Sequence, residues 1–171
     1  SNNPGNEGYA GQGNHNVRVG DVDGDGCDEI VYGQCTIDHD GNGLYTTGMN
    51  HGDAMHLTQF SLDLKGMQVW GCHENRRDGT SFRDAKTGEV IYQVKSNMDV
   101  GRCMAADIDP NNPGMEMWSS QSQGIRNVKG EVINPDMNTF SVNMGLWWDG
   151  DLLRELLDKD AVSKYNWHTG V

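Results

Sequence analysis

No run of 18 apolar residues occurs in the 171-residue chain, so nothing in it would span a membrane as a helix. Basic residues are scarce too. Thirteen Lys and Arg stand against 25 Asp and Glu, a formal net charge of −12. That balance excludes the basic surface a nucleic-acid backbone requires. The four cysteines (Cys27, Cys35, Cys72 and Cys103) are spaced 8, 37 and 31 residues apart without a CxxC pair. Zinc is therefore not expected from this set, and if the thiols pair, three connectivities remain open. Hydrophobic residues make up only 35% of the chain, its mean hydropathy is −0.70, and helical periodicity is rare. A helix-rich domain is excluded.

What is present suits strands. Twenty-three glycines supply tight turns, and five Trp with five Tyr suit pleated, half-buried surfaces. The expected fold class is all-β. The start, "SNNPGNEGYAGQGNHN", carries no signal-peptide pattern, and with the end, "NWHTGV", it reads like the inside of a longer chain. A fragment truncated at both ends is expected.

Three segments line up as an internal repeat: "VRVGDVDGDGCDEIVYG" from Val17, "MHLTQFSLDLKGMQVWG" from Met55 and "MAADIDPNNPGMEMWSS" from Met104. Each runs from an apolar stretch through a polar, glycine-containing turn to a short strand. Their offsets of 38 and 49 residues are those of β-propeller blades. Two hairpins fall between or after them, turning at Thr87-Gly88 and Lys129-Gly130. Residues 1–171 then make a partial propeller of about three to four blades. One segment departs from the pattern. Leu152, Leu153, Leu156 and Leu157 are spaced for one or two helical turns, capped by Asp149 or Asp151, and predict a short helix.

The first repeat packs five carboxylates into nine positions, Asp21 to Glu29. Such a run repels itself strongly unless a cation sits in it. With Asp21 as position 1, Asp23, Asp25 and Glu29 fall at 3, 5 and 9, Gly26 at the sharp turn of position 6, and the Cys27 carbonyl at 7. All are hard oxygen donors, which favours calcium. Tyr32 stands at position 12, so the loop is not an EF-hand. The third repeat retains Asp107, Asp109 and Glu116, with Asn111 as a further oxygen donor, and predicts a second calcium site. The middle repeat has Gln59 and Ser61 in place of acids and predicts none.

Histidines mark another place. His15 and His51 each open a segment entering a strand, with Asp53 and Glu74 nearby. Equivalent positions of neighbouring blades converge near a propeller axis, so the two histidines are candidates for a shared metal site. The spacing of His51, Asp53 and His56 is not that of a zinc protease.

"GQGNHNVRVGDVDGDGCDEIVYG", "GLYTTGMNHGDAMHL", "SFRDAKTGEVIY", "DVGRCMAADIDP" and "LWWDGDLLRELLD" together resemble the rhamnogalacturonan lyases of polysaccharide lyase family eleven. The resemblance runs from about Gly11 to Asp158. It implies an eight-bladed β-propeller stabilised by several Ca2+ ions, secreted or held at the surface or in the periplasm of bacteria. The implied substrate is the pectic polysaccharide rhamnogalacturonan I, cleaved at galacturonate by β-elimination. Arg102 matches the arginine that lines the family's cleft, implying a catalytic and substrate-binding role. His15 and His51, with Asp53, are implied as calcium ligands. The family's "NGTK" lysine motif and its tyrosine near the C-terminus are missing, so this chain alone is expected to be inactive. The remaining blades, or other chains, would complete the fold. The competing expectation is a non-catalytic, calcium-stabilised propeller for carbohydrate binding or adhesion.

Overall fold

The computed structural model describes residues 4–121, 124–136 and 140–171. After a short 3-10 turn (Glu7–Tyr9), fifteen strands follow among the described residues. They are β1 (Arg18–Gly20), β2 (Glu29–Tyr32), β3 (Cys35–Ile37), β4 (Gly43–Thr46), β5 (Met55–Thr58), β6 (Gln68–Cys72), β7 (Thr80–Asp84) and β8 (Val90–Val94). The second half holds β9 (Cys103–Ala106), β10 (Glu116–Ser119), β11 (Ile125–Arg126), β12 (Val132–Asn134), β13 (Met144–Leu146), β14 (Glu155–Asp158) and β15 (Ala161–Lys164). Every pairing is antiparallel between chain neighbours. They form three four-stranded sheets (β1–β4, β5–β8, β9–β12) and one three-stranded sheet (β13–β15). The all-β expectation is met, and no helix among the described residues is long and apolar enough to cross a membrane.

Side chains of a strand alternate between its two faces, and here both faces of the middle sheets are buried. In β9, Cys103 and Ala105 pack against Phe60, Trp70 and Phe82 of the second-sheet side. Met104 and Ala106, one step along, pack with Leu156 and Tyr165 of the fourth-sheet side. In β10, Met117 and Trp118 divide the same way. Between the first and second sheets, Val22 and Val31 meet Met55, Val69 and Ala85. The second and third sheets are thus each the wall of two cores.

Polar ties reinforce the stacking. The indole N–H of Trp70 donates to the Trp118 carbonyl at 3.3 Å, and that of Trp118 donates to Ser141 O at 2.8 Å. Arg83, fully buried, reaches from β7 to Gln34 Oε1 at 3.1 Å and to the Gly33 carbonyl, joining the second sheet to the first. The turns at Gly88 and Gly130 lie at φ +77° and +82°, the left-handed region where glycine carries no steric penalty.

The predicted helix is absent. Leu152 and Leu153 belong to the loop after β13, and Leu156 and Leu157 belong to β14, paired on both sides. Leu152 is 90% exposed while Leu156 is 2% exposed, so the i, i+4 pair does not share an environment. Strand pairing and burial of Leu156 against Trp118 outweigh the local helical preference of a leucine-rich run. The segment is in fact a fourth copy of the repeat.

Trp118 is the residue most exposed to test, since it is fully buried between two sheets and also ties them by a hydrogen bond. Trp118→Ala is expected to cost about 3–5 kcal/mol in chemical denaturation. Trp147→Ala, at a site 65% exposed, should change stability far less.

Candidate functional site

The first two strands of every sheet form a hairpin, and their connecting loops cover 21–28, 59–67, 107–115 and 147–154. The residue that opens the second strand is Glu29, Gln68, Glu116 or Glu155, each nearly or fully buried. One side-chain oxygen of each accepts a hydrogen bond from the second residue of its loop. The donors are Val22 N at 2.8 Å, Phe60 N at 3.1 Å, Ile108 N at 2.9 Å and Trp148 N at 2.7 Å. The four sheets share this anchor and differ in what meets the other side-chain atom.

In the first loop, Glu29 Oε1 is buried and accepts no hydrogen bond among the described residues. Asp21, Asp23 and Glu29 bring carboxylate oxygens within 4.8 Å of one another. The backbone folds around them: Asp21 accepts from Gly24 N at 2.7 Å and Gly26 N at 3.0 Å. Gly24 and Gly26, at φ +85° and +93°, make this wrapping sterically accessible. Asp25 and Cys27 group instead with His39, which arrives from the turn after β3. His39 Nδ1 lies 2.8 Å from Asp38, 3.4 Å from Asp25 and 3.8 Å from Glu29. Desolvation opposes its charge, but Asp25, Asp38 and Asp40 hold the imidazole above its usual range.

The second loop is self-sufficient. Gln68 Nε2 donates to the carbonyls of Lys65 and Gly66, and Gln59 Nε2 donates to Leu64 O at 2.8 Å. An amide has replaced the charge, and the loop closes on itself. In the third loop, Glu116 Oε1 is again buried without a hydrogen bond among the described residues. Desolvation, aided by the charges of Asp107 and Asp109, pushes the Glu116 carboxyl up to about 8 against the pull of two backbone N–H groups. Asp107 is raised as well, by desolvation and then by Asp109. Asn111 turns its amide nitrogen to Asp109 Oδ1 at 2.9 Å.

In the fourth loop Asp149, Asp151 and Glu155 converge, and an ammonium group stands among them. Lys164 Nζ lies 2.5 Å from Asp149 and Asp151 and 2.9 Å from Glu155 Oε1, the last contact lacking hydrogen-bond geometry. The register of β14 and β15 pairs Glu155 with Lys164, which fixes the lysine in that place. Gly150, at φ +86°, repeats the conformation of Gly24.

A second site forms at the opposite ends of the first strands. His15 precedes β1, His51 and Asp53 precede β5, and Arg102 precedes β9, so stacking the sheets brings them side by side. His15 Nε2 is 3.3 Å from His51 Nε2, their rings nearly perpendicular at 4.8 Å between centroids. The carboxylate that joins them is Glu74, 3.4 Å from His51 Nε2. Asp53 turns instead to Arg102, whose guanidinium it accepts as an ion pair, while Arg102 also donates to Gly101 O at 2.7 Å. Half of the Arg102 side chain stays exposed in a concave cleft lined also by His15, Asn16, Arg18 and His56. Desolvation lowers the His56 pKa below its usual range, against the pull of the Cys103 carbonyl, 3.1 Å from its Nε2. Cationic groups are thus gathered in one cleft of an acidic protein.

Comparison with known proteins identifies the family. All of residues 1–171 match rhamnogalacturonan lyase family 11, C-terminal domain, and the chain belongs to that family. It is 49% identical over 173 residues to the rhamnogalacturonan endolyase YesW of Bacillus subtilis (strain 168), covering 100% of this chain and 27% of the relative. It is 51% identical over 169 residues to the exolyase YesX of the same organism, covering 94% and 28%. Among solved structures, that of YesW superposes with a TM-score of 0.94 at 47% identity, covering 99% of this chain and 29% of that one. The Bacillus licheniformis rhamnogalacturonan lyase PL11 gives 0.94 at 50% identity, with coverage of 99% and 29%. The chain spans less than a third of the length of these relatives.

Two outcomes follow from the loops. Because Glu116 binds its proton more tightly in the fold than in the open chain, the native state carries the extra proton between pH ~4.5 and ~8. In chelator its contribution should therefore weaken stability as pH rises through that window, by on the order of 5 kcal/mol. Glu116→Gln should abolish that pH slope in denaturation curves. For the fourth loop, Lys164→Ala should melt below wild type in chelator, and millimolar calcium should recover part of the loss.

Proposed function

We propose that this chain is part of the calcium-stabilised β-propeller of a rhamnogalacturonan lyase that cleaves the rhamnogalacturonan I backbone of pectin at galacturonate by β-elimination. The observation that carries the proposal is Arg102, half exposed in a cleft and held by Asp53, in a chain about half identical to an endolyase and an exolyase. The four stacked antiparallel sheets support a propeller of blades completed by the rest of the protein to eight. A polymeric substrate of this kind is met outside the cell, which supports secretion or display at a bacterial surface.

The donor chemistry fits calcium in the first loop. Asp21, Asp23 and Glu29 offer hard oxygens, and Glu29 Oε1 is a buried acceptor with no hydrogen bond among the described residues. Asp25 and the Cys27 carbonyl are proposed as further ligands there. The third loop, with Asp107, Asp109 and Glu116, is proposed as another such site. His15, His51 and Glu74 form a softer set with two imidazoles, proposed to hold a divalent cation at the cleft. A cation held there by His15, His51 and Glu74 would supply charge neutralisation for a uronate carboxylate, which would raise the acidity of its C5 proton.

Arg102 is proposed to face the same uronate carboxylate and to stabilise the enolate-like charge that grows as the C5 proton leaves. Asp53 keeps the guanidinium oriented by its ion pair, so less ordering is needed when substrate binds. Arg18, on the same wall, adds positive potential for an anionic polymer. The group that takes the proton is assigned to the remainder of the protein.

The test is a turnover assay of the full-length protein on rhamnogalacturonan I, following ultraviolet absorbance of the unsaturated uronate product. Wild type should give product that chelator suppresses. Arg102→Ala should lower kcat/KM by roughly 10²–10³. Binding of the polysaccharide with no absorbance rise in wild type would replace the lyase reading with that of a binding propeller.

A further inference from the structure

Cys72 is the last residue of β6 and Cys103 the first of β9, so the two thiols face each other across the boundary between the second and third sheets. Both are buried, in the same core cluster. They also share one residue. Cys103 Sγ donates to Ala54 O at 3.3 Å, Cys72 Sγ lies 3.5 Å from the same oxygen, and Ala54 N donates to Cys72 Sγ at 3.3 Å. The other two cysteines are engaged elsewhere. Cys35 gives its thiol to Tyr32 O inside its own hairpin at 3.3 Å, and Cys27 is exposed beside Asp25. Of the three connectivities open in the sequence, tertiary packing leaves a single close pair among the described residues.

We propose that Cys72 and Cys103 are a cross-linking site, oxidised to a disulfide that staples the second sheet to the third. A dialkyl disulfide such as oxidised glutathione supplies the oxidising equivalents. One cysteine thiolate attacks it, forming a mixed disulfide and releasing one glutathione thiolate. The second cysteine thiolate then attacks the protein sulfur, forming the intramolecular S–S bond and releasing the second glutathione. Two protein thiols lose two protons and two electrons, and one disulfide becomes two thiols. Both sulfurs are shielded in the packed structure, so the exchange takes place while the sheets are still docking.

The position gives the bond a consequence. Arg102 immediately precedes Cys103, and Glu74 follows Cys72 by two residues. A staple there constrains the backbone behind the guanidinium and behind the carboxylate of the histidine cluster. It also closes the chain from 72 to 103 into a loop, which removes conformations from the unfolded ensemble.

The test is to refold the full-length protein with oxidised and reduced glutathione, block free thiols with a maleimide in denaturant, and map tryptic peptides without reduction. Peptide 66–76 should be found linked to peptide 103–126, and the oxidised protein should melt above the same sample treated with dithiothreitol. Cys72→Ala and Cys103→Ala should each remove the linkage and the melting difference. Recovery of both peptides in maleimide-blocked form, or linkage of either to another cysteine, would overturn the proposal.

Discussion

One buried side chain at the start of each second strand is the constraint on which the rest of this structure depends. Glu29, Gln68, Glu116 and Glu155 each tie a loop to its hairpin by accepting a backbone N–H, and that tie closes the end of every sheet. A carboxylate has a second oxygen, and burying it uncompensated is costly. The four sheets meet that cost differently. The second swaps the acid for an amide that donates back to its own loop. The fourth brings in the ammonium of Lys164. The first and third leave the oxygen without a hydrogen bond among the described residues, amid further carboxylates, and these are the loops proposed to hold a cation.

The cleft arises from the same repetition, seen from the other end. Residues that precede the first strands of successive sheets become neighbours once the sheets stack, although they are far apart in the chain. Stacking itself is driven by alternation along β6, β9 and β10, where adjacent residues feed two different cores. A change that loosens one core therefore shifts the neighbouring strand ends together. The ion pair of Asp53 with Arg102 spans two sheets and ties the charge of the cleft to that packing.

Much of this was legible in the residues. The Asp21–Glu29 run marks a loop in which carboxylates converge, as Asp21, Asp23 and Glu29 do, and the repeat signals stacked antiparallel sheets by its spacing. His15 and His51 could be placed together because repetition makes equivalent positions neighbours, and the structure has them 3.3 Å apart. The third member of that cluster could not be ranked so well. Asp53 and Glu74 are both acids near a histidine in the chain, and Asp53 is drawn away by Arg102, 49 residues on. His39 gave no signal, because it reaches the first loop from a turn beyond the next strand. The fourth repeat was hidden by a leucine spacing that suits a helix, and its acids by their pairing with a distant lysine.

The sequence by itself determined the class of fold, the sign of the charge and the loops that carry hard oxygen donors, since these depend on residue type and short-range spacing. Only the tertiary structure decided which carboxylate meets the histidines, that Lys164 stands among the acids of the fourth loop, and that Cys72 lies in the same core cluster as Cys103. Each of these depends on register between strands or on stacking between sheets. Such contacts join residues separated by many positions, and no local pattern encodes which of several similar side chains will arrive.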